Sequence, residues 1–413
     1  MADFHQNGNI ATLHNLRGTS TEAMTQELTN FARTRKISLI LPSLYSELEG
    51  DALANIVDEL AQVPYLHRII IGLDRADRAQ YGHALEYFSR LPQDHVVIWN
   101  DSPRQKAIMA RLEAMGLNPA EPGKGKNVWT CMGYLMACQD SSVMAIHDCD
   151  IVTYHRDMLA RLVYPVTNPN FPYQLSKGYY PRIGAGKLNG RVTRLLVSPL
   201  LIALQRVIGS RDYIDYLRSF RYPLSGEFAM RTTVLPDLRI PSDWGLEIGV
   251  LSEAWRNLAR KSVCQVEISD AYDHKHQELS PEDAAAGLNR MSTDICKAIF
   301  RKLAADGTVF TANVFRTLKA TYYRSALDLL ESYYNDAAMN GLSIDRHKEE
   351  QTIELFAENI IRAGDTFLRF PSETPFIATW SRVHAADQDL MRDMLMAVSA
   401  DYDDMTGDGR RPG

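Results

Sequence analysis

Residues 142–150 read SVMAIHDCD, an apolar run that ends in two aspartates one residue apart. The length and the Val, Met and Ile content of residues 142–146 predict a buried strand. Asp148 and Asp150 then follow the carboxyl end of that strand. Two carboxylates at this spacing can reach one divalent cation, although a bare Asp-x-Asp pattern also occurs in solvated turns. The elements around this strand decide between the two interpretations.

The chain before this stretch alternates short apolar runs with segments of helical periodicity. We predict strands at 37–41 (ended by Pro42), 67–73 and 96–99, and helices at 51–62, 78–91, 105–115 and 126–138. Short strands separated by helices indicate an α/β fold with a mostly parallel sheet that is buried on both faces. Ligands bind such sheets at the carboxyl ends of the strands. We therefore expect Pro42, Asp74 and the two aspartates to meet in one cleft.

The pattern changes near residue 280. Residues 151–280 are richer in aromatics, Pro and Gly, and Ser280-Pro281-Glu282-Asp283 is a strong helix start. We predict long helices at 313–338, stopped by Asn340-Gly341, and at 345–363, stopped by Gly364. The predicted division is an N-terminal extension (1–35), a catalytic α/β domain (36–280), a helical region (281–400) and a disordered tail (401–413).

Composition narrows the function classes. The chain has 413 residues, of which 45% are hydrophobic and 23% charged, as expected of a soluble protein with two or three domains. A net charge of −6 argues against a general nucleic-acid binder. No apolar stretch approaches the roughly 18 residues of a membrane span, and the N-terminus lacks a secretory signal. The five cysteines form no CxxC pair, so we predict reduced thiols and a cytoplasmic protein.

Two segments carry groups suited to anions. Gly123-Lys124-Gly125-Lys126 precedes a helix and could cradle a phosphate with backbone amides and a lysine, but it lacks the P-loop spacing. Gly190-Arg191-Val192-Thr193 offers a guanidinium and a hydroxyl, which suit a carboxylate or a phosphate ester. Taken alone, each segment is equally consistent with an ordinary surface loop.

Three further positions carry chemistry. His274 in His274-Lys275-His276 could supply a neutral imidazole as a third metal ligand, although surface histidines are commoner. Glu227 and Glu247 lie within apolar, Gly-containing stretches, so they are either structural or poised for a sugar hydroxyl. The glycines of 184–190 miss the dinucleotide fingerprint, which sets nicotinamide cofactors aside.

Taken in this order, the segments resemble the glucosyl-3-phosphoglycerate synthases and, more distantly, the mannosylglycerate synthases. These are retaining GT-A glycosyltransferases that use a sugar nucleotide and a divalent metal. The likeness covers about 38–279 and comprises Leu41-Pro42-Ser43-Leu44 with Glu47, Gly123-Lys124-Gly125, Asp148-Cys149-Asp150, Gly190-Arg191-Val192-Thr193, Pro223-Leu224-Ser225-Gly226-Glu227, Gly245-Leu246-Glu247-Ile248-Gly249 and His274. It implies a GT-A fold, which is Rossmann-like with flanking helices, followed here by a helical C-terminal region. Within the catalytic domain, it implies a nucleotide-binding half to about residue 150 and an acceptor half at 151–280.

The resemblance also implies a role for each matched residue. The sugar nucleotide would be bound by Pro42, Leu44, Glu47, Asp74, Lys124, Asp148 and Glu227. The acceptor would be bound by Gly190, Arg191, Thr193 and His276, the metal by Asp148, Asp150 and His274, and the catalytic residues would be Leu224, Glu247 and Arg191. Two motifs depart from the family. The chain has Gly72-Leu73-Asp74-Arg75-Ala76-Asp77 where the family has Asp-x-Gly-Ser-x-Asp, and His274-Lys275-His276 where the family has His-Arg-Asn.

The implied reaction is glucose transfer from UDP-glucose to 3-phosphoglycerate or glycerate with Mg²⁺ or Mn²⁺. Long amphipathic helices beyond the α/β core also predict a homodimer, with no nucleic-acid or membrane partner. Three alternatives stay open: mannosyl transfer from GDP-mannose on the same fold, a nucleotidyltransferase that releases pyrophosphate, and a sugar-nucleotide sensor without turnover.

Overall fold

The structure of the protein, a computed structural model, describes residues 6–16, 18–117, 122–274, 287–371 and 376–407. Its strands are β1 Ala11–Leu13, β2 Ile37–Leu44, β3 Leu66–Asp74, β4 Asp94–Trp99, β5 Val143–Ile146, β6 Leu175–Tyr179, β7 Ile183–Gly184, β8 Lys187–Leu188, β9 Phe228–Arg231 and β10 Val263–Glu267. Its α-helices are α1 Thr21–Ala32, α2 Asp51–Leu60, α3 Arg78–Phe88, α4 Pro103–Ala114, α5 Lys124–Cys138, α6 Arg156–Thr167, α7 Ser198–Ile208, α8 Asp212–Ser219, α9 Leu246–Asn257, α10 Gly287–Ala305, α11 Ala312–Met339, α12 Arg346–Arg369, α13 Trp380–Ala386 and α14 Leu390–Thr406.

Eight strands form the central sheet in the order β1-β10-β6-β9-β5-β2-β3-β4. Within the described residues, β9 alone runs against the others, because it pairs antiparallel with both β5 and β6. The predicted α/β fold with a mostly parallel sheet is confirmed. As a consequence, the carboxyl ends of seven strands and the start of β9 share one edge of the sheet.

Both faces of the sheet are covered. Ile40 and Ile70 belong to a core on one face that also includes residues of α5, α7 and the helices after residue 287. Leu39 and Ile69, one residue earlier on the same strands, belong to the core on the other face, with α2, α3 and α6. Successive strand residues point to opposite faces, so strands buried on both sides must be apolar throughout.

The first central strand is longer than predicted. Pro42 does not end β2, which continues to Leu44 with Pro42 paired to Gly72 of β3. On its other side, β2 pairs with β5 only as far as Ile40. That side of β2 is therefore an edge from residue 41 onward, where a residue without an N–H is tolerated.

The second long C-terminal helix also passes its predicted end. Gly364 lies within α12, which continues to Arg369. A Cβ at Gly364 would lie 2.6 Å from the Phe315 ring of α11. The glycine permits close packing of two helices here, so it does not act as a stop signal. The helix start predicted at Ser280 lies outside the described residues.

The termini depart from the predicted division as well. Residues assigned to an N-terminal extension supply β1, which pairs parallel with β10. The tail predicted to be disordered from 401 is helical to Thr406, because Asp401 and Asp404 both form ion pairs with Arg104 of α4. Residues 408–413 are outside the described ranges.

The C-terminal segment that contains α13 packs against α5 through two tryptophans. Trp380 of α13 stacks on Trp129 with ring centroids 4.1 Å apart, and each indole N–H donates to a backbone carbonyl of the opposite segment (Trp380 to Trp129, Trp129 to Ala378). Gly133 leaves the space that the Trp380 ring fills, since a Cβ there would overlap it. None of the described helices combines the length and apolar character that crossing a membrane requires.

Candidate active site

The residues predicted to share a cleft lie where β2, β3 and β5 end, at one edge of the sheet. Leu44 and Asp74 are register partners at the ends of β2 and β3. β5 ends at Ile146 beside β2 and leads directly into Asp148 and Asp150. Parallel pairing thus places residues that are far apart in sequence at one edge of the sheet, as expected.

Lys124 is the cationic group of this cleft. It is the first residue of α5, and its Nζ lies 2.6 Å from Asp148 Oδ1 and 3.3 Å from Glu247 Oε1. Burial favours the neutral amine, but Asp148 and Glu247 outweigh it and raise the pKa of Lys124. The ammonium is therefore held charged. A Cβ at Gly125 would overlap the Pro241 carbonyl oxygen, so the glycine allows the segment before Glu247 to reach this lysine.

Gly226 packs directly against the Lys124–Asp148 ion pair. A Cβ at this position would lie 2.5 Å from Asp148 Oδ2 and 2.9 Å from Lys124 Nζ. The backbone of Gly226 therefore packs directly against the two charged groups. Any larger residue would push Asp148 and Lys124 out of their positions.

The resemblance assigns Glu227 to the sugar nucleotide, and the structure places this residue directly after Gly226, on the side away from the ion pair. Its side chain is fully buried, with Oε2 accepting from the Tyr180 hydroxyl at 2.5 Å and Oε1 from the Tyr272 hydroxyl at 2.7 Å. The two rings stack with centroids 3.7 Å apart and planes 3° apart. Burial raises the pKa of Glu227, and the charge of Asp148 adds to the rise. Glu227 therefore orients its surroundings from beneath the cleft.

The two tyrosines bring two loops together. Tyr272 N donates to the Pro181 carbonyl at 3.1 Å, and Ile183 N donates to the Tyr272 carbonyl at 3.1 Å. His274, two residues after Tyr272, forms a β-bridge with Ile151, immediately after Asp150. Glu227 thereby fixes the segment that carries His274 next to the aspartates and also fixes the start of the loop that leads to Gly190.

The donor set here fits a divalent cation chemically. Burial and then the charge of Asp148 raise the pKa of Asp150 to about 7, which shows how crowded the carboxylates are. Burial favours neutral Asp148, but Lys124 and His274 lower the pKa of this carboxyl. Two carboxylates and an imidazole are suitable ligands for Mg²⁺ or Mn²⁺. In the described parts of the chain, however, no three His, Cys, Asp or Glu side chains are already grouped as a metal site.

A second loop carries the residues expected to hold the acceptor. Gly190 adopts a positive φ of 78°, and Arg191 then begins a helix that has π geometry over Val192–Val197 and continues as α7. Thr193 Oγ1 is buried and has no hydrogen-bond partner among the described residues. A helix start with a nearby arginine and hydroxyl suits an anion.

Arg194 fixes this second loop to the C-terminal helices. Its guanidinium donates to both carboxylate oxygens of Glu349 on α12, at 2.6 and 2.9 Å. The same group donates to the carbonyls of Leu188 and Asn189 at 3.1 and 2.8 Å. A buried, bidentate ion pair of this kind restricts geometry strongly. The helical region after residue 280 thus shapes the cleft, a role that the sequence did not reveal.

Asp74, which is expected to bind the nucleotide, is held by residues that the motifs did not include. Asn100, which follows β4, donates to Asp74 Oδ1 at 2.8 Å, and Asn127 on α5 donates to the Gly72 carbonyl at 2.8 Å. Burial raises the pKa of Asp74, and its bond from Asn100 partly offsets this. The strand-end rule that singled out Asp74 would also have found Asn100.

A buried lysine was missed as well. Lys177 of β6 is fully buried and donates to the Ser225 carbonyl, directly before Gly226 and Glu227. Burial lowers the pKa of Lys177 to about 8. Its polar identity within an otherwise apolar strand was the available signal.

The other candidate residues lie around the cleft as follows. Three candidate residues are half-buried at or just after the end of β2, namely Pro42, Leu44 and Glu47. Leu224 is half-buried against the core. Glu247 stands in the first turn of α9. His276 lies outside the described residues.

Comparison with known proteins identifies full-length relatives. The chain is 43% identical to the glucosyl-3-phosphoglycerate synthase of Persephonella marina, over 98% of this chain and 100% of that protein. It is 37% identical to the synthase of Methanococcoides burtonii, over 97% of this chain and 98% of that protein. No protein-family model matches.

A solved structure shows the same fold. The crystal structure of glucosyl-3-phosphoglycerate synthase from Mycobacterium tuberculosis, in complex with Mn²⁺, UDP-glucose and phosphoglyceric acid, aligns with a TM-score of 0.52 and 22% identity. The alignment covers 73% of this chain and 89% of that chain. The expected GT-A architecture is thereby confirmed.

We predict that Tyr272→Phe and Tyr180→Phe each lower the free energy of unfolding by about 1–3 kcal/mol, because each leaves one buried oxygen of Glu227 without its donor. Urea denaturation followed by fluorescence measures the loss. Tyr164→Phe is the matched control, since Tyr164 donates to Glu27 at 2.5 Å in an exposed pair and should cost far less. Equal losses in all three variants would contradict the role given to Glu227.

Proposed function

The chain belongs to the glucosyl-3-phosphoglycerate synthase family, and on that basis we propose that its cleft transfers glucose from UDP-glucose to 3-phosphoglycerate. The observation that carries the proposal is the cluster of Lys124, Asp148 and Glu247 at the carboxyl edge of the sheet. This cluster occurs in a chain that matches named synthases along its whole length. Glycerate is the second acceptor to be tested, because it differs only by the phosphate.

On the donor side, we assign the nucleotide to the ends of β2 and β3. Pro42, Leu44, Glu47 and Asp74 would line that part of the cleft. Lys124 would meet the diphosphate, where its fixed positive charge offsets the negative charge that builds on the departing group. Asp148 and Glu247 hold this ammonium at the cleft before any donor arrives.

We assign the divalent metal to Asp148, Asp150 and His274. When bound, it supplies a positive charge that neutralises the diphosphate leaving group. The charges in the pocket support this assignment, because four carboxylates (Asp148, Asp150, Glu227, Glu247) face two ammonium groups (Lys124, Lys177). Glu227 supports this site indirectly, because its bond from Tyr272 places the segment that carries His274.

On the acceptor side, we assign Arg191 and Thr193 to an anionic group, with Gly190 giving the turn that exposes them. His276 is a further candidate for this site. The Leu224 carbonyl and Glu247 would lie near the acceptor hydroxyl and the transferred sugar. We propose a front-face displacement with retention of configuration, in which the hydroxyl attacks from the side that the diphosphate leaves.

One experiment separates the proposal from its alternatives. Purified protein is incubated with Mn²⁺, 3-phosphoglycerate and either UDP-glucose or GDP-mannose, and products are identified by mass spectrometry. We expect glucosyl-3-phosphoglycerate and UDP. Mannosyl product would favour the related mannosyl transfer, pyrophosphate release a nucleotidyltransferase, and tight donor binding without product a sensor.

We predict that activity requires a divalent metal, that Asp150→Ala abolishes it and that His274→Ala reduces it strongly, since each substitution removes a proposed ligand. Initial rates are measured over a Mn²⁺ titration and after chelation. Asp58→Ala serves as the control, because Asp58 forms only an exposed pair with Arg90. Full activity of both cleft variants in chelator would refute the metal assignment.

We predict that Arg191→Ala raises the Michaelis constant for 3-phosphoglycerate by about tenfold to a hundredfold, because a hydrogen bond to a charged partner contributes roughly 1.5–3 kcal/mol. The constant for UDP-glucose should change little. Arg191→Lys should recover only part of the loss, since an ammonium cannot make a planar two-pronged contact. Unaltered acceptor saturation with impaired donor saturation would move Arg191 to the nucleotide side.

We further propose that the protein is a cytoplasmic homodimer whose contact uses the helices after residue 280. Apolar side chains are exposed along α11, with Tyr323 36%, Tyr334 41% and Met339 80% exposed, and such surfaces commonly pair with a symmetric copy. All five cysteines are free thiols, as a reducing compartment requires. Light scattering at micromolar concentration should give twice the mass of 46.6 kDa, and a monomer would count against the dimer.

A further inference from the structure

Arg182 is a buried arginine at the edge of the cleft, between β6 and the β7–β8 hairpin. It is 8% exposed, its guanidinium carbon lies 5.4 Å from the Tyr272 ring centroid, and its Nη1 donates to the Tyr222 hydroxyl at 3.4 Å. Its Nε is buried without a hydrogen-bond partner in the described ranges. Across those ranges, Arg182 also forms no ion pair with a carboxylate. A charge buried in this way is costly unless an anion joins it.

Two more buried donors surround the same turn. Asn189 N donates to the Arg182 carbonyl at 2.7 Å, and a Cβ at Gly190 would lie 3.2 Å from Arg182 Cβ. Asn189 Nδ2 and Thr193 Oγ1 are, like Arg182 Nε, buried without partners among the residues that the structure describes. Three buried donors without partners around one positive-φ turn can together bind an anion.

The proposed acceptor carries two anionic groups. Their positions relative to its hydroxyl indicate which of them lies nearer the reacting atoms. In 3-phosphoglycerate the single free hydroxyl is on the carbon next to the carboxylate, with the phosphate further away. The hydroxyl must approach the sugar, so the carboxylate is the anion nearer the reacting atoms. Arg182 lies over Tyr272, whose ring contacts the His274 ring at 5.9 Å. Arg191 and Thr193 instead stand at a helix start, which suits phosphate.

We propose that Arg182 binds the acceptor carboxylate next to the hydroxyl that receives glucose, and so selects 2-hydroxy acids over simple phosphate esters. A guanidinium can hold a carboxylate through two parallel N–H groups, which fixes the adjacent hydroxyl in direction as well as in distance. Stacking on Tyr272 and the bond to Tyr222 orient the group in advance. The inference rests on the proposed function and adds a residue to it.

The test compares acceptor fragments as competitors of 3-phosphoglycerate. Glycerol 3-phosphate keeps the phosphate without the carboxylate, and glycerate keeps the carboxylate without the phosphate. For Arg182→Gln we expect about a tenfold or greater rise in the Michaelis constant of 3-phosphoglycerate and in the inhibition constant of glycerate. The inhibition constant of glycerol 3-phosphate and the Michaelis constant of UDP-glucose should stay within about twofold. Arg191→Gln should show the reverse preference between the two fragments.

The matched control is Arg221→Gln. Arg221 lies over Tyr179 at 5.5 Å in the same way but is exposed, and we expect no change in any constant. Arg182→Lys, which keeps the charge, provides a second variant if Arg182→Gln does not fold. Calorimetric titration of 3-phosphoglycerate with UDP and Mn²⁺ present then measures binding without turnover.

Two results would overturn the inference. One is an equal loss of glycerol 3-phosphate and glycerate binding, which would mean that Arg182 only shapes the loop. The other is unchanged binding of 3-phosphoglycerate by Arg182→Gln. Failure of the proposed function is distinct, because the unmodified protein would then form no glucosyl-3-phosphoglycerate from UDP-glucose.

Discussion

The buried carboxylate of Glu227 is the constraint on which the cleft depends. A carboxylate with no access to water must have its oxygens satisfied by hydrogen bonds, and here the two donors come from two different loops, through Tyr180 and Tyr272. Glu227 itself directly precedes β9, the strand inserted between the two parallel halves of the sheet. One side chain therefore fixes the segment carrying His274 and the approach to Gly190. Through Gly226, the same stretch of backbone also supports Asp148 and Lys124.

This arrangement also fixes the positions of the charged groups in the cleft. Lys124 is held between two carboxylates, and the fully buried Lys177 donates to a backbone carbonyl behind it, so both positive groups are fixed in position. Fixed charges in a partly buried site interact more strongly with a ligand than mobile surface charges, because no solvent has to reorganise around them. Burial raises the pKa of Asp150 and the charge of Asp148 adds to this rise, and the same group of carboxylates suits a divalent cation.

The sequence predicted the sheet and the edge at which Asp74 and Asp148 lie, because both depend on local pattern. Apolar runs give strands, and parallel pairing brings their carboxyl ends together, so Asp74 and Asp148 could be placed without coordinates. The predictions were wrong for residues whose structural role depends on a neighbour in space. Pro42 is tolerated because β5 has already ended, and Gly364 is needed because Phe315 approaches it. Arg182 could not be singled out from the sequence. The reason to assign it to a ligand is that no carboxylate pairs with it among the described residues.

The C-terminal helices hold elements on both sides of the site. Arg194 joins the loop before Arg191 to Glu349, and Trp380 joins α13 to the helix that begins with Lys124. The two ends of the cleft are thus held by different parts of one helical region, which shares a continuous core with the sheet. Because rigid elements position catalytic groups better than free loops do, the region contributes precision to the site even though none of its residues is assigned to a ligand.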